Sequence, residues 1–234
     1  MADEWMSKEE EREQIAAAEQ EARLSRAEVY GRWGKFGKFL KAVVRPLFCF
    51  LFPFRVKGLE HLPDDHRPLI VCCNHISMLD PVFLLFSQKR ADIHFMGKEE
   101  LFRSGVAAWL FGKQCGSFPI ARGSRDTGAL EFAERLVTER KWMGIFPEGT
   151  RSKTGKLGHF KSGAALIAAR TQAYVLPVAV TTKRQKVKPF RRVTVSFGEP
   201  LSPAALELTG EKPNLRVATR AMTAAVESLM EAAV

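Results

Sequence analysis

The sequence predicts an α/β fold: a mixed, largely parallel central sheet flanked by helices, with an N-terminal amphipathic helical segment ahead of it. Two observations point there. Apolar runs bounded by turn residues recur at 69–73, 92–96, 117–121, 142–146, 174–180 and 192–198. Segments suited to helices separate them, at 81–88, 98–111, 125–140, 160–171 and 212–232. Strands that alternate with helices in this way are joined by crossovers, which bring successive strands side by side in parallel. The chain has 234 residues, 46% of them hydrophobic, enough for one large domain or a domain with an appendage. One boundary stands out, near residue 55. It separates an N-terminal helical segment (1–54) from a body (55–234).

The first part of that segment, residues 8–24, reads as a polar, solvated helix. Residues 1–24 carry eight acids and three bases, a net −5, so the rest of the chain carries +15 of the overall +10. A basic body implies a polyanionic partner: nucleic acid, an anionic membrane or a phosphorylated substrate. Residues 32–54, which begin near Trp33, narrow the choice. At 100° per residue Lys35, Lys38, Lys41 and Arg45 share one helical face, and Phe36, Phe39, Leu40, Val43 and Leu47 share the other. Pro46 is expected to interrupt this helix, after which Leu47 to Phe54 are apolar apart from Pro53. A basic face opposite an aromatic one describes a helix lying in a membrane interface. No uncharged apolar span is long enough to cross a bilayer, so no transmembrane helix is expected, and no signal peptide either.

Four cysteines (Cys49, Cys72, Cys73, Cys115) show neither a C-x-x-C pair nor zinc spacing. A disulfide framework is not expected, and a reducing compartment is favoured. No metal cluster is visible. No zinc finger, aromatic RNA-binding motif or recognition helix supports a nucleic-acid partner.

Four stretches can carry chemistry. In Asn74-His75-Ile76-Ser77-Met78-Leu79-Asp80, an imidazole and a carboxylate stand five residues apart, just after an apolar run. Histidine takes a proton near neutral pH, and a carboxylate in reach fixes its tautomer and stabilises the imidazolium. Asp80-Pro81 also has the form of a helix start, which by itself accounts for Asp80. Five residues do not share a helical face, so a turn must bring Asp80 back to His75. Gly116 to Gly123 is a short strand ending in Arg122, whose guanidinium fork matches phosphate. In Phe146-Pro147-Glu148-Gly149-Thr150-Arg151-Ser152, Glu148 can accept from hydroxyls, Arg151 can pair with phosphate, and Thr150 and Ser152 can donate. His159, beyond it, is a rival base. Tyr174 to Val180 is apolar but holds Pro177, which implies an edge, a bulge or a pocket wall. Lys183, Arg184, Lys186, Lys188, Arg191 and Arg192 then place six cations in ten residues with no acid; nucleotide phosphates, lipid headgroups, nucleic acid or plain solvation all suit them.

Taken in order, these blocks resemble the glycerolipid acyltransferase family, and within it the 1-acyl-sn-glycerol-3-phosphate acyltransferases. The N-H-x-x-x-x-D motif is met by Asn74, His75 and Asp80. The glycine–apolar strand ending in arginine is met by Gly116 to Arg122, although Ala121 stands where many members carry an acid. F-P-E-G-T-R-S is met in full by Phe146 to Ser152, and the apolar strand around proline by Val175 to Val180. The likeness spans roughly residues 55–200. It implies that His75, oriented by Asp80, deprotonates the 2-hydroxyl of 1-acylglycerol 3-phosphate. The alkoxide then attacks the thioester of acyl-CoA or of acyl-carrier protein and gives phosphatidic acid. Arg122 and Arg151 would hold the phosphate, with Glu148, Gly149 and Thr150 around the glycerol and Asn74 and Pro177 shaping the pocket. No cofactor is needed, and Cys72 and Cys73 need not be nucleophiles. Amides near Asn74 or Gly149 are open candidates for the oxyanion. Two substrates, one a lipid and one water-borne, imply a peripheral enzyme on the cytoplasmic face of an anionic membrane. Another lysophospholipid acceptor is the near alternative. A non-catalytic basic membrane-binding protein is the remote one, and it gives no reason for the four motif residues His75, Asp80, Glu148 and Arg151.

Overall fold

The computed structural model describes residues 8–30, 34–65, 67–89, 93–120, 126–183 and 186–233. Its centre is a seven-stranded sheet: β1 (Phe54–Lys57), β2 (Leu69–Cys73), β3 (Ile93–Lys98), β4 (Phe118–Ile120), β5 (Trp142–Ile145), β6 (Tyr174–Thr181) and β7 (Val193–Phe197), in the order β1-β7-β6-β2-β5-β3-β4. All neighbours run parallel except β6 and β7. The expected mixed, largely parallel sheet is therefore found. All five residues of β2 are buried, because helices cover both faces of the sheet. Alternate residues feed two separate cores. Ile70, Cys72, Met143 and Val175 point to one, and Leu69, Val71, Cys73, Trp142 and Leu176 to the other.

The first core is closed by α5 (Thr127–Thr138), α6 (Gly163–Thr171) and α7 (Leu215–Glu231). Side chains start two of these helices: Asp126 accepts from the Ala129 amide and Asn214 from that of Val217. The N-terminal helix α1 (Lys8–Tyr30) is mostly exposed but reaches the same core through Leu24 and fully buried Ala27. Gln20 bonds Glu131, and Glu28 pairs with Arg135. The acidic helix is thus laid along α5 of the body.

The second core holds α3 (Asp80–Ser87) and one residue of α2 (Lys35–Leu51). Phe48 of α2 enters a nest of aromatic rings with Phe52, Phe54, Phe83 and Phe86. That burial explains why the sequence misplaced the end of α2. Proline inside a helix forfeits one backbone bond, yet α2 runs through Pro46 to Leu51 because Phe48 is fastened beyond it and Arg45 Nε donates to the Phe86 carbonyl. At the other end Gly37 lies against the backbone of Gln114, whose side chain accepts the Gly37 amide at 3.1 Å; a Cβ there would overlap the Gln114 carbonyl. The apolar face of α2 points away from this core and is uncovered: Phe36, Phe39, Val43, Leu47 and Phe50 are all exposed. Trp33 and the side chains of Lys38 and Leu40 lie outside the described residues. No helix among the described residues is long and apolar enough to cross a membrane.

Two other readings are corrected, and a third is narrowed. The strand β1, parallel to β7, was missed: only four residues long and at the sheet edge, it alternates half-buried and exposed positions and lacks a sustained apolar run. The helix expected over 98–111 is a 3₁₀ turn (Glu99–Phe102), then α4 (Gly105–Ala107) passing into a π-helix (Ala108–Gln114). Pro177 is not on an edge strand, since β6 lies between β7 and β2. It faces a bulge in the neighbouring segment, one of the three settings the sequence offers for it. From Val178 to Val175 β6 advances three residues, whereas the facing segment takes four, from Phe197 to Leu201. Only Gly198 N–H to Pro177 C=O bridges the gap, so the missing proline donor is not needed.

Phe83 is fully buried at the middle of the second core. Phe83→Ala is expected to cost about 3–5 kcal/mol, read as a lower urea midpoint with an unchanged denaturant slope.

Candidate active site

Strands β2 and β5 are neighbours, with Cys72 opposite Ile145, so the loops that follow them emerge together at the carboxyl edge of the sheet. One loop leads to α3 over the second core, the other to α6 over the first. Where adjacent strands send their connections to opposite faces, a crevice opens between them. His75 stands in it.

The turn required by the five-residue spacing is present. Asp80 N–H donates to the Ser77 carbonyl at 3.3 Å, and Leu79 N–H to Ser77 Oγ at 3.2 Å. Asp80, fully buried at the start of α3, is thereby aimed back along the chain. Its Oδ2 accepts the amides of Ile76 and Ser77, each at 2.7 Å, and faces His75 Nδ1 at 2.8 Å. A carboxylate only accepts, so Nδ1 carries the hydrogen and Nε2 is left as the basic nitrogen. The His75 side chain is 14% exposed, enough to be reached from one side. Asp80 Oδ1 has no hydrogen-bond partner among the described residues.

The loop after β5 grips the same histidine at three points. Phe146 stacks on the imidazole with centroids 4.2 Å apart, and Phe95 backs Phe146 at 5.8 Å. His75 N–H donates to Glu148 Oε1 at 2.7 Å, and Ser152 N–H donates to His75 C=O at 2.7 Å. Glu148 Oε2 accepts from Gly158 N–H at 2.8 Å. The sequence assigned Glu148 to substrate hydroxyls; here it is buried, and each of its oxygens holds a backbone amide. Its geometry is that of a clip joining the two motif loops. Gly158 is required for that clip, because a Cβ would stand 2.7 Å from Glu148 Oε2.

Gly149 takes φ +69° at the turn, and its amide donates to Phe146 C=O at 3.0 Å. The candidate oxyanion donors at Gly149 and just after Asn74 therefore already donate elsewhere. Thr150 and Arg151 are exposed beside the crevice, as is Lys161, whose ammonium would lie 3.1 Å from a Cβ on Gly149. Lys161 is thus a cation beside the Gly149 turn, outside the F-P-E-G-T-R-S motif itself. Asn74 is buried and ties β2 to β6: its amide nitrogen donates to Val180 C=O at 3.0 Å and its oxygen accepts Val180 N–H at 2.8 Å. Pro177 lies in β6 opposite Cys72, three residues before His75. Arg122, along with Ala121 and Gly123, lies outside the described residues; β4, which precedes it, is the far edge strand. His159 is exposed. Burial pushes the Cys72 and Cys73 thiols well up from their ordinary range, Cys73 further through the nearby Asp80 charge.

A sheet of this order, carrying a histidine–carboxylate pair after its central strand and an F-P-E-G-T-R loop beside it, defines an acyltransferase. The acyltransferase family profile matches residues 53–181, more than half of the chain, and the chain belongs to that family. It is 33% identical over 135 residues to a chloroplastic 1-acyl-sn-glycerol-3-phosphate acyltransferase of Arabidopsis thaliana, covering 56% of this chain and 37% of that one. A 1-acyl-sn-glycerol-3-phosphate acyltransferase of Bacillus subtilis is 27% identical over 196 residues, covering 82% and 96%. The crystal structure of the 1-acyl-sn-glycerophosphate (LPA) acyltransferase PlsC from Thermotoga maritima superposes with a TM-score of 0.61 at 28% identity, covering 82% of this chain and 79% of that one. The chain spans 37% of the plant relative's length and 61% of the length of a Streptococcus pneumoniae relative.

Two measurements follow from this geometry. Glu148→Gln replaces one acceptor oxygen by a donor and leaves a buried amide unpaired, at a cost of about 1–3 kcal/mol, so urea unfolding should show it without any substrate. A Glu148 that only touched substrate would leave stability unchanged. The thiols give the second. At pH 8 an alkylating reagent should leave Cys72 and Cys73 unmodified in the folded chain, with acyl transfer unaffected. The folded thiols titrate above their ordinary 9.0. As the pH rises through that value, unfolded thiols ionise while folded ones keep their protons, so stability should fall.

Proposed function

We propose that the chain transfers an acyl group from acyl-CoA or acyl-carrier protein to the 2-hydroxyl of 1-acylglycerol 3-phosphate, giving phosphatidic acid. The observation that carries this reading is the orientation of His75: Nδ1–H held by buried Asp80, Nε2 left as the base, the ring backed by Phe146. Nε2 takes the proton of the acceptor hydroxyl as its oxygen bonds to the thioester carbonyl carbon. The tetrahedral intermediate collapses, the carbon–sulfur bond breaks, and the imidazolium returns the proton to the leaving thiolate. Asp80 stabilises the imidazolium between the two transfers. No atom of the enzyme becomes acylated. Arg151 and Arg122 serve the acceptor phosphate, with Lys161 at hand; Thr150 and Gly149 line the glycerol, and Glu148 positions His75.

The uncovered apolar face of α2 seats the enzyme on a membrane as a peripheral protein, on the cytoplasmic face where the thioester donors are. Five exposed apolar side chains spaced along one helix face are an unfavourable surface in water and a favourable one against acyl chains.

Labelled acyl-CoA, and separately acyl-carrier protein, supplied with 1-acylglycerol 3-phosphate on liposomes should yield labelled phosphatidic acid. His75→Ala should lower turnover by about 10²–10⁴-fold while preserving the circular dichroism spectrum and liposome association. Turnover that survived the substitution would sink the mechanism. No product with either donor, but product with a different lysophospholipid, would change the acceptor.

A further inference from the structure

We infer that the turn around Phe190 is a second membrane anchor, which reads the negative charge of a phospholipid bilayer; this rests on the reading of α2 as the seat of the protein on a membrane. The turn is built in an unusual way. Lys188 C=O accepts from Arg191 N–H at 3.3 Å, with Pro189 and Phe190 at the corner and Phe190 at φ +60°. A tight turn with proline first and positive φ second calls for glycine at the second position, because a side chain there is strained. This chain carries phenylalanine instead, and exposes 66% of it. The amide of Phe190 donates to Leu51 C=O at 2.6 Å, so the ring is fixed at the end of α2, edge-on to exposed Phe50 with centroids 5.9 Å apart. An aromatic ring held outward in a strained turn adds nothing to the core.

Its position adds to the case. At the far end of α2 another exposed ring from a distant segment, Trp109 of the π-helix, packs at a tilt against Phe36 with centroids 5.4 Å apart. Phe36 and Phe50 are fourteen residues apart, about 21 Å along a helix. The apolar stripe of α2 is therefore flanked at both ends by rings from elsewhere, an arrangement that stops the helix from rolling in an interface. Charge selects the occupant. Lys186, Lys188, Arg191 and Arg192 are exposed around Phe190, and residues 183–192 contain no acid. Cations beside an apolar ring fit phosphate headgroups above acyl chains. A second copy of the chain would bring the same cations face to face, and a nucleic acid offers no apolar phase for the ring.

The test is sedimentation with vesicles of phosphatidylcholine, with and without phosphatidylglycerol. Phe190→Gly, which suits the turn's φ, should lower partitioning on the order of tenfold on both vesicle types. Lys188→Gln with Arg191→Gln should lower it about fivefold per cation on the anionic vesicles only. Turnover of a short-chain acceptor dissolved as monomers should match the native chain in both cases. If both variants partition like the native chain while Phe39→Ser with Leu47→Ser releases it, the turn is no anchor, and the α2 reading stands. Native chain that binds neither vesicle type overturns both. A dimer in lipid-free solution that Phe190→Gly dissolves assigns the face to a second copy and overturns the inference.

Discussion

The site depends on how the backbone of His75 is held. Its N–H and its C=O are both bonded to the loop after β5, through Glu148 and Ser152, and its ring is stacked on Phe146 from the same loop. Asp80 then needs only to select the nitrogen that carries the hydrogen. A loop residue normally owes its position to its immediate neighbours in sequence. This one is set by a second strand, and that strand is set by the sheet. Freedom lost before substrate arrives need not be lost during the reaction, which is how a weak base in a fixed place becomes effective.

The same economy runs through the polar groups around it. Asp80 Oδ2 takes two amides besides the imidazole, Glu148 spans two loops, and Asn74 completes a broken ladder between β2 and β6. Each is buried, and each is paired with backbone, where an unpaired partner would be costly. Glu148, which looks in sequence like a ligand for a substrate, here joins two loops of the scaffold. Arg151, Thr150 and Lys161, by contrast, face outward.

Much of this was legible in the sequence, for identifiable reasons. The strands at 69–73, 142–145 and 174–181 were found because burial on both faces leaves continuous apolar runs. The His75–Asp80 contact was expected because a short turn suffices to close five residues. What escaped depended on partners remote in sequence. β1 is defined by pairing with β7, more than a hundred residues on; the passage of α2 through Pro46 depends on rings from α3; the clip at Glu148 depends on the amide of His75, in the loop after another strand. A carboxylate in a turn looks the same whether it awaits a hydroxyl or holds an amide. Only the fold says which.

Strand order carries one more consequence. β5 is the fifth strand to be made, yet it is inserted between β2 and β3, which the chain lays down earlier. As the polypeptide emerges from the ribosome, the His75–Asp80 pair can form from local sequence alone, while the loop that fixes it is still unsynthesised. The gap beside β2 must stay open until Trp142–Ile145 arrives. Contacts closed over such separations are the slow ones in folding. The backbone bonds that hold His75 in place are therefore out of reach until β5 and the loop after it have been made.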